Sequence, residues 1–214
     1  MRIAILGAGG QLGRAIVGAL AIREYAVRAV ARRPPVPPLD PSVRIRIADA
    51  SKKVEIRQAL SDCQVVVNAI GGGTLRRNDV ESRTTAIAVA AAEEIGVQRY
   101  IAMSAAMVAL DWVLFKYVLR PLIFRNTYAE HLRVEEIVRA SALAWTIVRP
   151  PKLTNGSAVG YLASLKQQPK LFSAGRADVA SFIADELRDK RYLRQAVSVA
   201  SCRETFPRES HAGT

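Results

Sequence analysis

Cysteine and histidine are scarce in this 214-residue chain, which holds two of each. Cys63 and Cys202 are too few for a disulfide framework, and the histidines form no constellation of metal-ligating spacing, so no metal centre is expected. Long hydrophobic runs are missing as well. No stretch approaches the roughly 18 uninterrupted apolar residues of a membrane span. The start, with only Arg2 ahead of a short apolar run ending in glycines, is unlike a signal peptide. These absences lead us to expect a cytoplasmic protein with neither membrane nor metal as partner. Acidic residues are outnumbered, 19 against 31 basic ones, which gives a formal net charge of +12. The basic residues are nonetheless spread along the chain, with no run of five or six and no interleaving with aromatics. That pattern argues against a nucleic-acid partner and for a basic surface that partly serves an anionic small molecule.

Half of the residues are hydrophobic and 23% are charged, the balance of a globular chain with a substantial core. The length fits one domain over residues 1–214. No internal repeat or linker divides it.

The stretch that orders the rest is Arg2-Ile-Ala-Ile-Leu-Gly-Ala-Gly-Gly-Gln-Leu-Gly13. Ile3 to Leu6 are apolar on both faces, as in a parallel strand covered by helices on either side. Gly7 allows a tight turn, Gly10 lets backbone approach a diphosphate, and Gly13 permits close packing of a helix on the strand. Gly9 is an additional glycine in the loop. Read strictly as Gly-x-Gly-x-x-Gly the motif fails, because its sixth position is Leu12. Leu12, Ile16, Val17 and Leu20 then recur with helical spacing, and the helix N-terminus offers N–H groups and a positive dipole. A dinucleotide site is the reading preferred over a capped helix after a flexible turn.

Tyr25 to Ala31 reads as a second strand, closed by Arg32-Arg33. At this place a dinucleotide fold meets the adenosine ribose, and an acidic residue would accept from a free 2′-hydroxyl. Here there is none. Guanidinium forks match a phosphate, so the pair predicts NADP(H) rather than NAD(H); solvated surface charge is the competing explanation. Pro34 to Pro41 is a stiff connection. Val43 to Ala48 reads as strand three, with Asp49 at its carboxyl end bounding the adenine, capping the next helix near Lys52–Leu60, or doing both. Gln64 to Ile70 is a buried fourth strand ending in Gly71-Gly-Gly73. An alanine-rich helix follows from Asp79 to Ile95, with Gly96 as its cap. Strand five, Arg99 to Met103, delivers Ser104 at its carboxyl end, where open parallel sheets keep reactive groups.

The apolar, aromatic segment Asp111 to Phe124 reads as a lid or wall over the substrate space, with a dimer contact as competitor. A helix from about Asn126 to Ser141 carries Tyr128, Glu130, His131 and Glu135. Ala144 to Val148 is strand six, closed by Arg149-Pro-Pro151. Residues 152–174 read as an irregular excursion, Ala177 to Leu187 as a helix, and Ala196 to Val199 with Ala200 as a last strand. Strands alternating with helices give an α/β class: a Rossmann-type doubly wound parallel sheet, with substrate-side elements at about 105–125 and 151–175.

The combination of Gly7-Ala-Gly-Gly-Gln-Leu-Gly13, Arg32-Arg33, Asp49, Val67-Asn-Ala-Ile70, Met103-Ser-Ala105 and Trp145-Thr-Ile-Val-Arg-Pro150 resembles the atypical short-chain dehydrogenase/reductases. Within them it looks most like the NAD(P)H-binding, NmrA-like group that includes flavin and biliverdin-IXβ reductases. The resemblance implies that Gly7, Gly9, Gly10, Gln11, Leu12 and Gly13 line the diphosphate. It places Arg32 and Arg33 on the 2′-phosphate, Asp49 and Ala50 at the adenine, and Ala69, Ile70 and Gly71 on the ribose side. Met103 and Ser104 would lie beside the nicotinamide, and His131 matches a helix histidine of the biliverdin-reductase relatives. Lys152 stands where those relatives often have a second histidine.

One expected element is absent. Short-chain dehydrogenases use Tyr-x-x-x-Lys to exchange a proton with the substrate carbonyl. Tyr117 is followed four residues on by Pro121, and Tyr128 by Leu132. The leading expectation is therefore an NADPH-dependent reductase transferring hydride to a flavin-, quinone- or tetrapyrrole-like acceptor, a reaction that asks little acid–base chemistry of the protein. Ser104 would orient nicotinamide or acceptor, and His131 would donate the proton, unless it lies on a solvated helix face between Glu130 and Arg133. The alternatives are an NADP(H)-sensing regulatory protein without turnover and a pathway-specific reductase or epimerase. As a small-molecule enzyme the chain would act as a monomer or homodimer.

Overall fold

The computed structural model describes residues 1–71, 79–110, 117, 122–166 and 173–202. In chain order its elements begin with β1 (Arg2–Leu6), α1 (Gln11–Ile22), β2 (Ala26–Ala31), β3 (Arg44–Ile47), α2 (Lys53–Leu60) and β4 (Val65–Asn68). They continue with α3 (Val80–Glu94), β5 (Arg99–Met103), a short 3-10 turn (Ala106–Ala109), α4 (Arg125–Ala140) and β6 (Ala144–Arg149). The last are β7 (Lys152–Thr154), β8 (Tyr161–Ser164), β9 (Ser173–Gly175), α5 (Arg176–Asp189) and β10 (Gln195–Ser201).

Eight strands form one sheet in the order β3-β2-β1-β4-β5-β6-β10-β8. Every neighbouring pair is parallel except β10 with β8. The chain moves outward from β1 to β3, then returns to place β4 on the other side of β1. Loops leaving β1 and β4 therefore part in opposite directions, and the crevice between them opens at the carboxyl ends of the strands. This is the Rossmann-type doubly wound sheet expected from the sequence.

Alternation along the strands explains why they are apolar on both faces. Ile3, Ile5 and Ile101 point to one side and pack with Ile16, Val17 and Leu20 of α1 and Val179, Phe182 and Ile183 of α5. Ala4, Leu6, Tyr100 and Ala102 point to the other and meet Ile56 of α2, Ala88 and Ala92 of α3 and Val138 of α4. Each large side chain so buried contributes about 1.5–3 kcal/mol relative to exposure, which outweighs any local preference of these short strands. The edge strand β3 departs from this rule: its four residues are exposed, with Ile45 and Ile47 about half so.

Two expectations need correction. Residues 152–174 are not simply irregular: β7 and β9 form a separate parallel pair, and β8 adds an antiparallel strand to the main sheet. Asp178 holds part of this segment: it is buried in the first turn of α5, and its Oδ1 accepts from the backbone N–H of Val159 (2.9 Å) and Gly160 (3.0 Å) while its Oδ2 takes the Ser201 hydroxyl. One carboxylate thus ties the approach to β8, the start of α5 and the end of β10. Second, Asp49 does not cap α2, whose boundary residue is Lys52; its Oδ1 accepts from the N–H (2.9 Å) and hydroxyl (2.8 Å) of Ser51 instead. The supposed lid falls mostly outside the described residues, at 111–116 and 118–121.

Helix α1 supplies a test. A Cβ on Gly13 would lie 2.2 Å from the Gly7 carbonyl oxygen and 2.8 Å from its carbon, both backbone atoms that cannot swing aside. A Cβ on Gly18 would meet nothing within 4 Å. Gly13→Ala is therefore expected to destabilise by about 1–3 kcal/mol through overpacking. Gly18→Ala should stabilise by about 0.5–1 kcal/mol through helix propensity. Denaturant midpoints read both, and shifts of the same sign would contradict the close contact at Gly13.

Candidate cofactor and active site

The first loop leaves β1 through Gly7, whose φ of +77° lies in the left-handed region. The Gly10 N–H donates back to the Gly7 carbonyl at 2.9 Å, closing the turn, and the Ala8 N–H is held by the Val30 carbonyl of β2 at 3.1 Å. A Cβ on Gly7 would stand 2.9 Å from the Ala69 oxygen and 3.0 Å from the Ile70 nitrogen, so the loop after β4 lies directly against the loop after β1. Gly9, Gly10 and Gln11 are exposed, and Leu12 is half-buried. Gly10 occupies the N-cap of α1 and offers no side-chain acceptor, and the first turn carries no acidic residue. The orphan N–H groups of that turn are left for an external anion, to which the helix dipole adds a partial positive charge.

Arg32 and Arg33 follow β2 directly and are exposed. Among the described residues neither side chain has a hydrogen-bond or ion-pair partner. Asp49 and Ala50 follow β3 and are half-buried. The two Ser51 donors hold the Asp49 carboxyl below its ordinary range, with Lys52 and Arg32 adding smaller electrostatic contributions. Arginines, Asp49 and the glycine loop therefore line the same carboxyl edge, over adjacent strands.

Residue Asn68 holds the second loop, a role that the sequence reading did not assign. It is buried, its amide nitrogen donates to Thr85 Oγ1 (3.1 Å) and Tyr100 Oη (2.9 Å), and its Oδ1 accepts the Ile70 N–H (3.1 Å). The loop Ala69 to Gly71 is thereby fixed from beneath. Burial raises the Tyr100 phenol well above its usual pKa, with the Asn68 bond opposing weakly, so it acts as a neutral partner. The available signal was a lone amide in a strand otherwise made of valine.

At the end of β5, Ser104 is buried and its Oγ donates to Glu135 Oε1 of α4 at 2.8 Å. Glu135 is buried as well and is gripped by Arg149 from the end of β6, Nε to Oε1 at 2.7 Å and Nη2 to Oε2 at 2.5 Å. Arg139 adds a bond to Oε2 at 3.2 Å. Burial pushes the Glu135 carboxyl upward, but the Arg149 fork, the Ser104 hydroxyl and Arg139 together outweigh it and hold it below the ordinary carboxylate range. Met103 precedes this serine and is half-buried. The sequence reading placed Ser104 correctly at the strand end but did not join it to Glu135 and Arg149. The clue was an acid flanking the apolar positions Val134 and Val138 of an amphipathic helix.

His131 stands one turn before Glu135 on α4, on the same face. Its Nδ1 is buried, 3.2 Å from Glu81 Oε2 at the start of α3, off the line of a hydrogen bond. The idea of a solvated face is corrected by its neighbour: Glu130 is buried and accepts the Ser82 N–H (2.8 Å) and hydroxyl (3.0 Å), thereby capping α3 from outside. A charged side chain on the helix is thus inside because an unsatisfied helix terminus needs it. Among the described residues there is no cluster of three metal-ligating side chains, and no helix is long and apolar enough to cross a membrane.

Residues 7–190 match a family described as NAD(P)H-binding. Over 209 residues the chain is 26% identical to an uncharacterized sugar epimerase, YhfK, of Bacillus subtilis (strain 168), covering 92% of each. Among solved structures, the oxidoreductase ylbE of Lactococcus lactis superposes with a TM-score of 0.82 at 21% identity, covering 95% of this chain and 92% of that one. ChuY, an anaerobilin reductase of Escherichia coli O157:H7, gives 0.77 at 19% identity, covering 97% and 99%. These structural likenesses share the fold.

The Glu135 network makes a pH-dependent prediction. Arg149→Met should destabilise by about 3–5 kcal/mol near neutral pH, because it strands a buried carboxylate. In the native protein the folded pKa is depressed, so the stabilisation from Glu135 exists above its unfolded value and is lost as pH falls through the folded one. In the variant, burial would be opposed only by the Ser104 hydroxyl and Arg139, so the folded pKa would rise and acid would relieve the cost. The deficit relative to native should therefore shrink between neutral pH and about pH 4. Urea denaturation across that range tests it, and a deficit independent of pH would refute the ionised pairing.

Proposed function

The chain belongs to the NAD(P)H-binding family, and on that premise we propose that it is an NADPH-dependent reductase that delivers hydride to a flavin-, quinone- or tetrapyrrole-like acceptor. The observation that carries the choice of cofactor is Arg32-Arg33, two exposed guanidinium groups at the end of β2 with no protein partner among the described residues. A carboxylate there would repel a 2′-phosphate; paired arginines attract it.

The residues present fit the cofactor. Gly7, Gly9, Gly10, Gln11, Leu12 and Gly13 would hold the diphosphate through an N-cap free of side-chain competition. Arg32 and Arg33 would bind the 2′-phosphate, Asp49 and Ala50 would bound the adenine, and Ala69, Ile70 and Gly71 the ribose side. Met103 and Ser104 would flank the nicotinamide. When bound, the cofactor supplies a hydride, two electrons with one proton. The protein's part is then to orient both reactants and to supply the second proton, for which His131, beside Glu81, is the donor we assign. A conjugated acceptor is favoured because the sequence has no Tyr-x-x-x-Lys pair to protonate a simple carbonyl. ChuY, which shares the fold, supports a tetrapyrrole among these acceptors.

The same missing pair favours a second reading, a protein that senses NADP(H) without turnover. NADPH oxidation with flavins, quinones and linear tetrapyrroles separates the two: turnover with any of them excludes the sensor, and binding without turnover leaves the sensor or a pathway-specific enzyme. For the cofactor itself, NADPH should bind at least about tenfold more tightly than NADH, and Arg32→Ala with Arg33→Ala should remove that difference. Calorimetric titration measures both, and equal affinities in the native protein would overturn the assignment.

A further inference from the structure

Resting on the reading that NADP(H) occupies the carboxyl edge, we propose that Glu135 and Arg149 are positioning residues that make the Ser104 hydroxyl a hydrogen-bond acceptor for the N–H of the nicotinamide carboxamide. The steps are chemical. A serine hydroxyl has one proton to give, and an ionised carboxylate can only accept. Ser104 Oγ lies 2.8 Å from Glu135 Oε1, so its proton is committed to Glu135. Glu135 cannot rotate away or take up a proton cheaply, because Arg149 binds both of its oxygens at 2.7 and 2.5 Å from a planar fork. The lone pairs of Oγ are what Ser104 has left to offer. Its backbone is fixed as well, by its N–H on the Val148 carbonyl at 2.8 Å, so the hydroxyl stays at the end of β5 with one polarity.

This separates Ser104 from the role its position invites. A serine at this strand end that donated to a substrate carbonyl would stabilise a developing oxyanion. Here the same atom repels an oxyanion and orients an amide N–H. The proton required by the reduction must come from elsewhere, which leaves that task to His131 or solvent.

The test uses the full chain and two oxidised cofactors, NADP+ and its 3-acetylpyridine analogue, in which a methyl group replaces the amide NH2. Native protein should bind NADP+ roughly fivefold more tightly than the analogue, as expected for one net hydrogen bond. Ser104→Ala should bring that ratio to about one. Glu135→Gln should do the same with Ser104 still in place. Its NH2 would face one guanidinium nitrogen at the Oε1 position but two at Oε2, so it turns toward Ser104, donates to Oγ and releases the hydroxyl proton toward the ligand. A purely structural role for the pair would alter both affinities together and leave the ratio unmoved. Should Glu135→Gln fail to fold, as judged by its thermal melt, Ser104→Ala decides alone. A native ratio near one, or a ratio that survives Ser104→Ala, overturns the inference while NADP+ binding persists. No measurable binding of NADP+ at millimolar concentration would instead remove the cofactor reading beneath it.

Discussion

Close backbone contact between Gly13, Gly7 and Ala69 is the constraint on which the site depends. Three segments distant in role, the helix after β1, the turn before it and the loop after β4, meet with no side chain between them. Contact at this distance fixes where the first turn of α1 points and how far the β4 loop sits from it. Asn68 completes the arrangement from below by holding the Ile70 N–H. The crevice at the sheet's switch point is therefore shaped by backbone, with side chains entering at its rim.

Around that rim, buried carboxylates recur as fasteners. Glu130 caps α3, Glu135 joins β5 and β6 to α4, and Asp178 gathers the strands of the excursion. At the opposite end of the sheet Glu186 accepts from Arg99 at 2.6 Å and from the backbone of Arg191 and Tyr192. Each would cost several kcal/mol if buried alone, and each is buried because it answers specific donors. In a chain of net charge +12 the few acids that go inside are thus the ones with structural duties, and the arginines that remain on the surface carry the excess.

What could be read from the sequence follows from this division. Strands, helices and the parallel, doubly wound class of the sheet came from apolar periodicity and from the alternation of the elements, which are local and repeated. The glycine loop was legible because the backbone demands at Gly7 and Gly13 leave a residue-type signature. The fasteners were not, since a glutamate on a helix looks the same whether it faces water or a serine brought in from another strand. Asp178 shows the cost most clearly: residues 152–174 seemed irregular because their strands are short and the stretch at Val159 and Gly160 is held by a side chain supplied by a later helix. The end of β5 was legible as the place of Ser104, whereas the Glu135 that its hydroxyl meets lies 31 residues on and is held in turn by Arg149.

The exposed strand β3 has a consequence of a different kind. Its outer edge pairs with no other strand among the described residues, and it alternates Arg44 and Arg46 with Ile45 and Ile47. Unpaired edges of this sort invite another chain to extend the sheet. When two copies approach edge to edge, however, arginine meets arginine before any hydrogen bond can form, and the isoleucines are never brought into register without that repulsion. Charge on the border of the sheet thus opposes edge-to-edge pairing, a colloidal safeguard built into the strand itself.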